Sequence, residues 1–130
     1  MGVVLLLDTH VLLWAAMEPD KLSVPARKLL EHPENDLLVS AASAWEIATK
    51  FRLGKLSHAK KMVNHYGQVL ARLGAKTLAI TDAHALQAGS WPISHRDPFD
   101  RVLTAQSCLE NISLVSADTI LDEFGIERIW

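Results

Sequence analysis

The first apolar block is Val3-Val4-Leu5-Leu6-Leu7, five consecutive hydrophobic positions without alternation. A short uninterrupted apolar run of this kind predicts a strand buried on both faces, as in a parallel sheet. A helix follows from about His10 to Met17 and stops near Glu18-Pro19-Asp20; a second, opened by Ser23 as N-cap with Pro25 in its first turn, runs to about His32. Leu37-Leu38-Val39 is the next buried strand. From Ser40 the period changes: Ala44, Ile47, Ala48 and Phe51 fall at i, i+3, i+4 and i+7, with Gly54 as the stop. Residues 59–73 predict one amphipathic helix through Met62, Tyr66, Val69, Leu70 and Leu73. A third strand is expected at Leu78-Ala79-Ile80, then a helix from Thr81-Asp82, where Asp82 is expected to act in capping, to about Gly89. The irregular link SWPISHR leads to a helix opened by Asp97-Pro98. Ile112–Val115 predicts a fourth strand, Asp118–Phe124 a short helix, and Ile126–Ile129 a last strand. Strands alternating with helices imply an α/β domain with a mainly parallel sheet and helices on both faces.

Composition narrows the class. At 130 residues, with no repeat, linker or low-complexity tract, the chain is expected to form one domain, 1–130. Its 49% apolar content excludes a disordered chain. No apolar run approaches the roughly 20 residues of a spanning helix, and no basic leader precedes Asp8, so neither a membrane anchor nor a signal peptide is expected. The single cysteine, Cys108, leaves no intrachain disulfide framework and no cysteine-based zinc site. A cytoplasmic protein is the expectation. Net charge is −2, but between Glu46 and Asp82 lie Lys50, Arg52, Lys55, Lys60, Lys61, Arg72 and Lys76 with no acid among them. That stretch reads equally as a phosphate-facing patch or a solvated helix face.

The acids carry the chemistry. Ligands of open α/β sheets bind beyond the carboxyl ends of the strands. Asp8 ends the first strand and Asp118 follows the fourth; Glu46 lies about two turns into the helix after the second strand, and Asp100 lies in the first turn of the helix leading to the fourth. Each acid alone has an ordinary explanation. Asp8, Asp97 and Asp118 can cap helices, and Glu46 can complete a capping box with Ser43 or pair with Lys50. As a set they converge on one edge, where their repulsion and desolvation require a cation. Hard oxygen ligands suit Mg2+ or Mn2+, and such a site fits phosphodiester hydrolysis. Thr9 and Ser116 stand beside the acids and can orient carboxylates or cap local backbone. His10 and His95 flank the acidic blocks, where packing or support of the acids fits better than a general-base role. Trp14 and Trp45 fall in helical apolar patterns that predict core packing. Arg96, Arg101 and the basic residues of 50–61 are candidates for backbone phosphate contacts.

The blocks LLLDTHVLLW (5–14), SAASAWEIATKFRLGKL (40–56), HRDPFDRVLTAQ (95–106) and ISLVSAD (112–118) resemble, in this order, the PIN-domain ribonucleases and within them the VapC toxins of type II toxin–antitoxin modules. The resemblance covers essentially the whole chain. It implies a three-layer α/β/α fold with a sheet of about five strands and a Mg2+- or Mn2+-dependent endoribonuclease leaving 5′-phosphate and 3′-hydroxyl ends. It also implies that Asp8, Glu46, Asp100 and Asp118 are the catalytic, metal-binding acids. Asp100 takes the third place because it opens DRVLTA, which leaves Asp97 as a cap or a supporting group. A cognate VapB-like antitoxin and a homodimer are implied too, the antitoxin laid over apolar helix faces in the first third of the chain. A non-catalytic PIN-like RNA- or protein-binding module is the alternative. A phosphotransfer domain fits less well: Asp8 is followed by Thr9-His10 with no second acid two residues on, and no receiver-type acidic pair is present.

Overall fold

The computed structural model describes residues 2–130. Five strands, β1 (Val4–Leu7), β2 (Asp36–Ser40), β3 (Ala75–Leu78), β4 (Ser113–Val115) and β5 (Arg128–Ile129), form one sheet in the order β3-β2-β1-β4-β5. Every pairing is parallel, with Leu7 opposite both Val39 and Val115. The central strand explains its own composition. Leu5 and Leu7 face one core, Leu6 faces the other, and all three are fully buried. A strand covered on both faces has no polar side to alternate with.

The first core packs β1 and β2 against α1 (Thr9–Met17), α2 (Val24–Glu31), α4 (Lys60–Asn64) and α5 (Tyr66–Leu73) through Val11, Leu12, Ala26, Met62 and Leu70; Ile47 of α3 (Ala41–Arg52) joins it. The second core packs Leu6 and Leu114 against Leu103 of α7 (Pro98–Glu110) and against Leu121 and Phe124 of the 3-10 helix Thr119–Phe124. Helix α6 (Asp82–Ser90) lies against α7. The result is a three-layer α/β/α arrangement, as expected.

Four elements differ from the sequence pattern. The helix expected over 59–73 is divided into a 3-10 turn, Ser57–Ala59, then α4 and α5, because His65 leaves helical geometry at φ −132°, ψ 36°. Strand β3 starts at Ala75, immediately after Gly74 closes α5 at φ 71°, and ends where strand was expected to begin. As an edge strand it exposes Lys76 and Thr77, so it lacks the apolar run that marks a central strand. The short helix expected after Asp118 forms as a 3-10 helix, whereas β5 is reduced to two residues. Thr81, not Asp82, caps α6: Thr81 Oγ1 accepts from the His84 amide while His84 Nδ1 accepts from the Thr81 amide, and Asp82 is the first-turn acid.

Candidate active site

The chain runs β1, β2, β3 in one direction across the sheet and then returns to place β4 on the other side of β1. The strand order therefore reverses at β1 and β4, the position where open parallel sheets leave a crevice. The Asp8 amide donates to Val115 O at 3.0 Å and ties the two strand ends together. A cleft of about 370 Å³ opens there, lined by Asp8, Glu46, Asp97, Asp100 and Asp118 among others. All four acids expected at this edge thus line one cavity, and Asp97 lies beside them.

Each acid is held differently. Asp8 is the N-cap of α1, only 4% exposed, accepting from the Thr9 amide at 2.7 Å and from Ser116 Oγ at 2.7 Å. Burial raises its pKa; His10 and these hydrogen bonds counter the shift, and Glu46 adds to it. Glu46 is buried on α3, with Oε2 paired to Lys50 Nζ and Oε1 buried without a partner. Asp100 sits in the first turn of α7, its Oδ2 2.8 Å from His95 Nε2. Burial pushes its pKa up to about 6, helped by Asp97 and Asp8 and opposed by His95. Asp97 is the N-cap of α7, accepting from the Phe99 and Asp100 amides at 2.9 and 3.4 Å. Asp118 caps the last 3-10 helix through Ile120 N, and its own amide donates to Ser116 Oγ at 3.0 Å.

The residues around the acids form a connected frame. Ser116 Oγ joins Asp8 to the Asp118 backbone, as its position in SLVSAD suggested. Thr9 Oγ1 lies 2.9 Å from Ser43 Oγ, which links α1 to the helix carrying Glu46; sequence reasoning had weighed Ser43 only as a capping-box partner. His10 Nε2 accepts from the Ala117 amide at 3.0 Å, so its proton is on Nδ1, which stands 3.4 Å from Asp8 Oδ2. The support roles of His10 and His95 had a visible signal in their spacing from Asp8 and Asp100, but not their partners.

Two expectations are overturned here. Arg101 is not available to RNA, because its guanidinium donates to the carbonyls of Ala88 and Ile93 at 2.7 Å and of His95 at 2.8 Å, and also to Trp91. It fastens the irregular link 91–97 that positions His95 and Asp97. Trp45 is not in the core: it is 59% exposed, edge-on against Phe99 with ring centroids 4.7 Å apart. One helical face was already filled by Ala42, Glu46 and Ile47, which leaves position 45 outward. Trp14 does pack against the first core, and it also lines the cleft. Arg52, Lys55, Lys60 and Lys61 are exposed.

The donor set is entirely hard carboxylate oxygen, and Glu46 Oε1 is a buried acceptor with nothing to accept from, so the residues fit a divalent cation. Among the described residues, no three His, Cys, Asp or Glu side chains are gathered closely enough to hold one as they stand. The acids are engaged separately instead, by Ser116, Lys50 and His95.

The PIN domain family profile matches residues 5–127. Ribonuclease VapC22 of Mycobacterium tuberculosis is 32% identical over 114 residues, 87% of this chain and 85% of that protein. Ribonuclease VapC16 of the same organism is 38% identical over 58 residues, 45% of this chain and 41% of that protein. In fold, the chain is similar to a chain of VapBC2 from Rickettsia felis, solved with a DNA fragment from its promoter, at TM-score 0.69, 14% identity and 98% coverage of both chains. VapBC-1 from nontypeable Haemophilus influenzae gives TM-score 0.60 and 14% identity over 98% of this chain and 97% of that one. With the strand order, the acidic crevice and these likenesses in agreement, the chain belongs to the PIN-domain family, on its VapC ribonuclease branch.

Proposed function

We propose that this chain is the endoribonuclease toxin of a toxin–antitoxin pair and that it hydrolyses RNA phosphodiester bonds at the acidic cleft with Mg2+ or Mn2+. The observation that carries this reading is the meeting of Asp8, Glu46, Asp100 and Asp118, from four separate segments, in one crevice at the ends of β1 and β4. Asp8, Glu46 and Asp100 would hold the metal, with Asp118 completing the set. When bound, the ion supplies Lewis acidity toward the phosphate and lowers the pKa of water.

The chain's own residues do the rest. Ser116 and the Thr9 amide fix both Asp8 oxygens, so the carboxylate enters the cleft in one orientation. His95 orients Asp100 in the same way, and Asp97 fixes the start of the helix that carries it. Low solvent exposure around Asp8 and Glu46 keeps the field of the carboxylates unscreened, which strengthens their hold on a cation. Arg96, exposed beside Asp97, is placed for RNA backbone phosphates.

The rest of the surface fits the same reading. An apolar pocket of about 170 Å³ between α1, α2 and the sheet, lined by Ala15, Leu22, Leu30 and Leu37, is a seat for the apolar side chains of a VapB-like antitoxin segment. The matched relatives and neighbours are VapC ribonucleases and VapBC complexes. A single domain over 1–130, a homodimer and a cytoplasmic location belong to this proposal. None of the described helices is long and apolar enough to cross a membrane.

The test is incubation of purified protein, free of antitoxin, with a panel of RNAs in Mn2+, in Mg2+ and in EDTA. The expected result is cleavage with metal, none with EDTA, and product ends bearing 5′-phosphate and 3′-hydroxyl. RNA binding retained in EDTA with no cleavage under any condition would place the chain among non-catalytic binding modules.

A further inference from the structure

The cleft holds a cation of the protein's own. Lys50 lies one turn after Glu46 on α3, and its ammonium contacts Glu46 Oε2. The Glu46 side chain is 7% exposed and that of Lys50 40%, so the lysine enters from the solvent side to reach a buried acid. The other carboxylate oxygen, Oε1, is buried and unpaired. Lys21, the other lysine of the cleft lining, is committed elsewhere: it pairs with Glu18 at 2.9 Å and lies over the Trp14 ring. The remaining partners of the acids are a hydroxyl, Ser116, and two imidazoles, His10 and His95. Lys50 is therefore the fixed positive charge facing the buried carboxylates.

We propose that Lys50 is a resident counter-ion of the acid cleft: it holds Glu46 in the metal-free protein and competes directly with the divalent cation for that carboxylate. The proposal rests on the metal-dependent reading of the cleft and adds a positioning residue that no acid-based argument supplies. It accounts for a buried glutamate standing among other acids, because an ammonium compensates it. An entering ion must take Glu46 from Lys50. The free Oε1 gives it a first point of attachment, and the lysine side chain, 40% exposed, can turn toward solvent.

The test is Mn2+ binding by calorimetry on the full chain, comparing wild type, Lys50→Met, Lys50→Arg and Lys55→Met, with unfolding in EDTA as the second readout. Lys50→Met is expected to bind Mn2+ about tenfold more tightly, a difference of about 1.4 kcal/mol. It is also expected to unfold at a lower temperature in EDTA and to recover more stability on adding Mn2+. Lys50→Arg keeps the charge and is expected to bind within about threefold of wild type. Lys55→Met removes an equal charge from the exposed surface nearby and is expected to change affinity less than about twofold. If wild type binds Mn2+ and Lys50→Met binds it equally or more weakly, the counter-ion role is overturned while the metal site stands. An equal gain in Lys55→Met also overturns it, since general charge would then explain the effect. If neither wild type nor Lys50→Met binds Mn2+, the metal reading of the cleft falls and the competition with it.

Discussion

Asp100→Asn is expected to stabilise the metal-free protein while disabling it. The Asp100 carboxyl is raised from 3.8 to about 6 by burial, with Asp97 and Asp8 adding to the shift. A shift of about two units corresponds to about 3 kcal/mol of disfavoured ionisation, and screening at the solvent-facing cleft reduces it to about 1–2 kcal/mol. Because the folded pKa lies above the unfolded one, the folded state binds more protons between pH 3.8 and about 6. The penalty is therefore fully present above pH 6, shrinks as pH falls through that window, and is absent below it. Asparagine has no charge to desolvate and keeps an acceptor oxygen for His95. In EDTA at pH 7.5, Asp100→Asn should melt about 4–7 °C above wild type, and the difference should shrink toward zero by pH 4. With Mn2+ present the order should narrow or reverse, because the wild type alone keeps its full ligand set. Thermal unfolding by circular dichroism across this pH series reads the effect directly. Equal or lower stability of Asp100→Asn at pH 7.5, or a difference that does not change with pH, refutes the account of Asp100 as a buried carboxylate ionised at a cost to folding.

Ser116→Ala removes the hydroxyl that orients Asp8 and receives the Asp118 amide; the Mn2+ concentration needed for half-maximal cleavage should rise about 10–100-fold, and an unchanged requirement would remove Ser116 from the site. Arg101→Met deprives the carbonyls of Ala88, Trp91, Ile93 and His95 of their donor. Urea unfolding should show a loss of about 3 kcal/mol or more, whereas a loss below about 1 kcal/mol would mean that water replaces the guanidinium. Leu103→Ala opens a cavity in the second core, where Leu103 is fully buried against Leu6 and Leu114, and should cost about 2–5 kcal/mol by the same measurement.

The central sheet was legible because its strands are buried on both faces, and β1, β2 and β4 each appear as an apolar run. The caps Ser23 and Asp97 were legible for a local reason, since a short polar side chain before an apolar helix has few other uses. Edge strand β3 was placed too late because an exposed edge need not be apolar, and the break at His65 was missed because the helical period continues across it. At the site, strand ends marked Asp8 and Asp118, and helix positions near the same sheet edge marked Glu46 and Asp100, all four of which line one crevice. The partners were not legible in the same way. His95 to Asp100 spans five residues, but Thr9 to Ser43 spans 34 and Ser116 to Asp8 spans 108, so only the closed fold brings the latter pairs together. Arg101 and Trp45 went wrong in opposite directions for one reason: residue type suggested a surface arginine and a buried tryptophan, while the packing of link 91–97 and of α3 reversed both.

The central claim is that two neighbouring acids in HRDPFDR do different work, Asp100 holding metal and Asp97 holding the helix. The direct measurement is Mn2+-dependent cleavage of a single end-labelled RNA by wild type, Asp8→Asn, Asp97→Asn and Asp100→Asn, with EDTA as control. The account predicts that Asp8→Asn and Asp100→Asn lose at least about a hundredfold in rate while remaining folded, and that Asp97→Asn retains metal-dependent cleavage because asparagine still caps α7. Loss of cleavage in Asp97→Asn with full activity in Asp100→Asn would contradict the assignment, and EDTA-resistant cleavage by wild type would contradict the metal-dependent mechanism itself.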